Sequence, residues 1–139
     1  MEGINARHLK AIDAYRDIGN QSAVVDASPY QLISMLMNGA LDRIAAARGA
    51  MARGDAALQG SMIGKAIGIV DGMRASLDEQ RGGPAGGELA ARLRDLYDYM
   101  ERRLLEAGAG ADQQALDEVA GLLREVKSGW DAIPAEHRG

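Results

Sequence analysis

The stretch LRDLYDYMERRLLE, residues 93–106, decides the fold. It sets Tyr97 and Tyr99 two positions apart in a chain with four Tyr, one Trp and no Phe. On a strand that spacing places both rings on one face; on a helix it separates them by roughly 200°. The apolar residues around them settle the choice. Leu93, Leu96, Tyr97, Met100 and Leu104 recur at intervals of three and four, which is the helical period. Tyr97 therefore joins a core-facing stripe. Tyr99 falls beside Arg92, Asp95 and Arg102 on the polar side. There it either lies flat on the surface or meets another helix or peptide, a role for which tyrosine is enriched.

Working outward, glycine and proline divide the chain into a leader and four long helical segments. In the leader, residues 1–27, Leu9, Ile12, Tyr15 and Ile18 recur every three residues before the polar break Gly19-Asn20-Gln21-Ser22. A short helix followed by an extended link through Val24-Val25 is expected. The first long helix opens at Ser28-Pro29-Tyr30-Gln31. Ser28 is an N-cap, Pro29 fits the first helical position, and Gln31 completes a capping box. Gly54-Asp55 ends that helix. The second is expected from about 55 to 79, with Met62, Ile63, Ala66, Val70, Met73 and Leu77 on its apolar face. RGGPAGG (81–87) breaks the chain. The third helix spans about 88–107, directing Leu89, Leu93, Leu96, Tyr97, Met100 and Leu104 inward. GAGAD (108–112) breaks again, with Asp112 or a neighbour as the next cap. The fourth carries Leu116, Val119, Leu123, Val126 and Trp130 to about 133, where Pro134 helps end it. No segment alternates as a strand does. The pattern predicts an all-α fold: an antiparallel four-helix bundle over 28–133, an N-terminal leader (short helix or extended strap) over 1–27, and a tail over 134–139.

Composition removes several function classes. A net charge of −4 and no basic tract leave nucleic acid and anionic membranes without an electrostatic anchor. Cysteine is absent, so disulfides, thiolate metal sites and thiol nucleophiles are absent with it. MEGINARHLK has no apolar core of a secretory signal, and no apolar run approaches the ~20 residues of a membrane span, so a cytoplasmic protein without membrane insertion is expected. The two histidines, His8 and His137, lie near opposite ends and outside the four helices, which excludes the inward Glu-x-x-His pairs of a di-iron bundle. GSMIGKA (60–66) imitates a phosphate loop but has three residues between its glycines and Ala66 where Ser or Thr is required. The acidic series Asp95, Asp98, Glu101 and Glu106 interleaves with Arg92, Arg94, Arg102 and Arg103, as on a solvated, internally paired helix face. No enzyme, cofactor or metal site is expected.

What the sequence has in surplus is apolar surface. In the first helix Ile33, Leu36, Met37, Ala40, Ile44 and Met51 cluster, while Leu32, Met35 and Leu41 fall outside, so the apolar arc covers roughly 240° where a core-facing stripe needs about 100° or somewhat more. Ile67 and Leu105 are off-stripe in their own helices. Such surplus is buried if a helix is wedged between neighbours or covered by the leader; otherwise it forms a groove for something apolar. The ladder Gly60, Gly64, Gly68 and Gly72 either permits close approach of another helix or simply faces water.

Four stretches, SPYQLISMLMNGAL (28–41), IGKAIGIV (63–70), GGELAARLRDLYDYMERRL (86–104) and EVAGLLREVKSGW (118–130), together resemble the flagellar secretion chaperones of the FliS family, in order and spacing, over about 28–133. The chain departs from the family in carrying Met37-Asn38 where Tyr-Asp is common, and in a longer link after Tyr15. The resemblance implies a non-enzymatic bacterial chaperone that holds the disordered C-terminal segment of flagellin, which coils into helices around the bundle, remains unpolymerised and stays fit for the export apparatus. It implies a leader able to cover the apolar surface when no client is bound. The client-binding candidates are then Leu32, Met35, Leu41, Ile67, Tyr99 and Leu105, and the shield candidates Leu9, Ile12, Tyr15 and Ile18. The export apparatus or a co-chaperone is a further partner. The competing reading is a self-associating helical adaptor, a homo-oligomer whose surplus surface meets its own copy.

Overall fold

The structure is a computed structural model that describes residues 28–77 and 86–137. Four helices fill the described residues: α1 (Pro29–Arg53), α2 (Ala56–Ser76), α3 (Gly86–Gly110) and α4 (Gln113–Asp131), followed by a short 3-10 turn, Ala135–His137. The leader, with Leu9, Ile12, Tyr15 and Ile18, and the expected end of the second helix at residue 79 lie outside the described residues.

α1 begins as its sequence requires. The Ser28 hydroxyl accepts from the Gln31 N–H at 3.1 Å, and the Gln31 side chain accepts from the Ser28 N–H at 2.9 Å. Two donors that no helical turn can satisfy are thereby paired. Its other end reverses at Gly54, which adopts φ 74°. The Asp55 N–H reaches back to the Ala50 carbonyl and the Gly54 N–H to the Met51 carbonyl, a Schellman closure. Asp55 then caps α2 by accepting from the Leu58 N–H.

The same device recurs between α3 and α4, where Ala111 takes the left-handed position at φ 52°. The Asp112 N–H bonds the Ala107 carbonyl, and the Asp112 carboxylate caps α4 through the Gln114 and Ala115 N–H groups. This corrects the expected boundaries. α3 runs through Gly108 and Gly110 instead of stopping near 107, and it starts at Gly86, inside the expected breaker. At Gly108 a Cβ would lie 3.6 Å from Ile63, ordinary contact, so the position beside α2 does not require glycine. The turn is set by the closing hydrogen bond and the aspartate, not by the glycines themselves.

Contacts between the helices fix their directions. Arg74 pairs with Asp98, and Gly108 packs on Ile63, so rising along α2 means descending along α3. Tyr30 meets Trp130 and Arg48 meets Asp117, so α1 and α4 are antiparallel as well. With the two tight reversals this makes a four-helix ring in which α1 packs on α2 and α4, and α3 packs on α2 and α4. α1 and α2 make the most extensive contact.

The core they enclose is aliphatic. Leu36, Met37, Ile69, Val70, Met73, Met100, Leu104, Leu116, Val119 and Leu123 are all essentially inaccessible. Tyr97 is buried with them, and burial pushes its hydroxyl pKa up to about 12. Two residues differ from expectation, in opposite directions. Leu89 is 47% exposed, because it belongs to the first turn of α3, beyond the level at which α2 is present to cover it. Leu32, expected off the stripe, is only 3% exposed and belongs to the core cluster.

The ends of α1 and α4 are clasped. The Tyr30 and Trp130 rings stack at 5.0 Å, 9° from parallel. The Tyr30 hydroxyl donates to the Trp130 carbonyl at 2.9 Å, and the indole N–H donates to the Tyr30 carbonyl at 3.3 Å. Each ring thus satisfies the other residue's backbone.

Two stability measurements follow. Ala111→Gly removes the strain of a Cβ in the left-handed region and should raise the unfolding free energy from urea titration by up to about 1 kcal/mol, whereas Gly54→Ala should lower it by about 1–2 kcal/mol. Equal signs for the two would contradict the shared turn. Tyr30→Ala removes the stack and a hydrogen bond and should cost about 1.5–3 kcal/mol, with a red shift of Trp130 fluorescence; unchanged emission would mean the clasp is not formed in solution.

Candidate functional site

The described chain has two exposed large apolar side chains, and both are on α3: Leu89 at 47% and Leu105 at 62%. The neighbours of α3 decide which seam each belongs to. On the α2 side, Arg74–Asp98 and Ile63–Gly108 set an antiparallel register that brings Ile67 level with Leu105. Ile67 is half-buried and packed against the core, with Leu105 beyond it. Exposed Gly60, Gly64 and Gly68 flank this edge, and nothing lies within 4 Å of where their Cβ atoms would be, so they face open space. Gly72 alone of the ladder is buried, on the other edge of α2.

On the α4 side, α3 presents the row Leu89, Leu96 and Arg103, each seven residues from the next. Arg103 marks the seam, since its Nε donates to Glu118 on α4 at 2.7 Å and its Nη1 to Glu106 at 2.6 Å. Further along, Leu93, Leu96, Leu122 and Val126 are only partly buried. Sequence periodicity assigned Leu93, Leu96 and Val126 to the core without any sign that the α3–α4 seam leaves them partly open.

Tyr99 lies on this seam, but not as a free apolar ring. Its hydroxyl donates to Glu118 Oε2 at 2.6 Å, and the Arg102 guanidinium sits 5.6 Å from the ring centroid. The Tyr99 hydrogen bond, and after it that from Arg103, holds the Glu118 carboxyl below the usual carboxylate range. The same bond raises the Tyr99 hydroxyl pKa. The cluster is a polar clamp joining α3 to α4 beside the open leucines.

The remaining sequence candidates fall elsewhere. Leu41 shares a row with Arg48, which meets Asp117, and so lies on the α1–α4 seam, half-buried. Met35 lies on the opposite edge of α1, toward α2, also half-buried. Leu32 is enclosed. The six candidates are thus spread around the bundle, and the structure brings together only Ile67 and Leu105. The seam each occupies depends on inter-helix register, which a helical wheel does not contain.

No group of three or more His, Asp or Glu side chains gathers as a metal site among the described residues, and none of their helices is long and apolar enough to cross a membrane. The described surface offers apolar seams and paired charges.

Comparison with known proteins connects this surface to a family. The model of the family described as flagellar protein FliS matches residues 11–137. The chain is 50% identical over 125 residues to the flagellar secretion chaperone FliSB of Pseudomonas aeruginosa, covering 90% of this chain and 96% of that protein. It is 45% identical over 123 residues to the flagellar secretion chaperone FliS of Salmonella typhimurium, 88% of each chain. To the FliS of Bacillus subtilis it is 32% identical over 119 residues, 85% of each chain. Matched along nearly its whole length, and folded as the helical bundle its motifs imply, this chain belongs to the FliS family of flagellar secretion chaperones.

Proposed function

We propose that this protein is a cytoplasmic, non-enzymatic export chaperone that holds the disordered C-terminal segment of flagellin, blocking premature polymerisation and keeping the subunit competent for secretion. Family membership supports the class of function, and the relatives carry the name flagellar secretion chaperone. The observation that carries the reading here is the placement of Leu89 and Leu105 on two different seams of one helix. A single groove would take one client helix. Apolar side chains on both edges of α3, with Ile67 on one side and Leu96, Leu122 and Val126 on the other, suit a client that coils around the bundle and lays successive turns against successive seams.

The energetics agree with a reversible hold. Covering the remaining half or so of Leu89 or Leu105 contributes about 1–2 kcal/mol each. Ordering the client segment costs about 2–5 kcal/mol, so several such contacts are needed and the sum stays releasable. The leader, through Leu9, Ile12, Tyr15 and Ile18, shields the same surface when no client is present; its 27 residues adjoin the start of α1.

Leu105→Glu and Leu89→Glu should each weaken binding of a C-terminal flagellin peptide by roughly ten-fold or more in calorimetry, with helical circular dichroism unchanged. Full affinity in both variants would remove α3 from the client surface. Deleting residues 1–19 should leave the bundle folded and tighten the peptide complex; equal or weaker binding would remove the shield. Light scattering with and without the peptide tests the competing adaptor reading, which requires an oligomer indifferent to it.

A further inference from the structure

Among the described residues, many surface charges are answered. Arg48 pairs with Asp117, Arg74 with Asp98, Arg92 with Glu88, Arg103 with Glu106 and Glu118, and Lys127 with Asp131. Two further cations, Arg43 and Lys65, are partly buried and differ from these. The Nε of Arg43 is sealed from solvent and has no acceptor. Lys65, also partly buried, forms no ion pair or hydrogen bond among the described residues.

The fold sets these two residues opposite each other. Arg43 lies eleven residues before Gly54 and Lys65 eleven after it, so the α1–α2 hairpin carries them at one level. On α1, Arg43 shares an edge with buried Leu32, Gly39 and Ala50, away from Tyr30 and Arg48, which meet α4. On α2, Lys65 shares an edge with buried Gly72 and Ser76, away from Ile63 and Arg74, which meet α3. Each therefore occupies the edge of its helix that faces the other helix. Asp42, the carboxylate nearest in sequence, is exposed and pairs with neither. Two like charges at one level of a partly desolvated seam repel, and a sealed guanidinium donor without an acceptor adds to that cost. An incoming anion at the accessible part of the seam relieves the repulsion.

We propose that the α1–α2 seam docks an acidic, amphipathic peptide segment of a partner protein, with one carboxylate bridging Arg43 and Lys65. Met35 on α1 and Met62 on α2 are half-buried, packed against the core and adaptable in shape, so the same two helices also offer apolar contacts. The carboxylate accepts from the guanidinium and the ammonium together, the strongest class of side-chain hydrogen bond. A net charge of −4 and a single two-cation locus do not suit an extended phosphate backbone. This seam is separate from both edges of α3 and does not depend on the client reading above.

The test uses the full chain and a fluorescein-labelled helical peptide with Glu and Leu four residues apart, beside the same peptide with Gln for Glu. Anisotropy should show the Glu peptide binding roughly ten-fold tighter, a gap that narrows with added salt and closes in both Arg43→Gln and Lys65→Gln. Lys65→Glu supplies an internal partner for Arg43, so it should raise the melting temperature and abolish Glu-peptide binding while helical circular dichroism is unchanged. Equal affinity for the two peptides would overturn the proposal, as would a melting temperature in Lys65→Glu that does not rise. Displacement of the Glu peptide by millimolar inorganic phosphate, with the same dependence on Arg43 and Lys65, would reassign the seam to phosphate and overturn it as well.

Discussion

The constraint on which the rest depends is the size of the side chains that can fill this core. With no phenylalanine in the chain and Tyr97 the one buried tyrosine among the described residues, the interior is otherwise made of leucine, isoleucine, valine, methionine and alanine. Eight of the buried core residues are alanines: Ala40, Ala47, Ala50, Ala66, Ala90, Ala107, Ala115 and Ala120. Helix axes approach according to what stands between them, so a core this fine-grained draws the helices close and leaves a slender interior. A slender interior covers a narrow arc of each helix. The wide apolar arc of α1 and the off-stripe Leu105 of α3 exceed it, and the excess emerges at the seams. The surface that suits a chaperone is thus the geometric complement of a thin core.

Polar contacts then decide which seams are closed. Tyr99, Arg103 and Glu118 lock α3 to α4 near the reversal at Ala111, while the leucines and Val126 farther along lie in a looser part of the same seam. Arg74 with Asp98 does the same between α2 and α3, leaving Leu105 outside. These exposed pairs add little to global stability. Their effect is on register: by fixing which residues stand level, they fix where apolar side chains surface.

Much of this was legible from residue order, in proportion to how local the determining physics is. The capping box at Ser28 and Gln31, the helical period through Tyr97 and the break at Gly54 each depend on neighbours within one or two turns, and each is found where the residues place it. The glycines at 86, 87, 108 and 110 misled because a glycine costs a helix only about 1 kcal/mol, which the rest of a 25-residue helix offsets. The position of Ala111 was less visible still, since alanine carries no left-handed preference and the turn is imposed by Asp112 and the closing hydrogen bond. Leu32 and Leu89 exchanged their expected roles for a non-local reason: a helical wheel reports the face of one helix, whereas burial depends on how far the neighbouring helices extend. The stack of Tyr30 on Trp130, one hundred residues apart, had no signature in either segment.

That stack closes a ring with a definite polarity. Both tight reversals, at Gly54 and Ala111, lie at one pole, while the start of α1 and the finish of α4 lie side by side at the other. A tension applied through the two ends of the bundle would therefore load the aromatic pair first and peel the outer helices apart one contact at a time, instead of sliding them past one another.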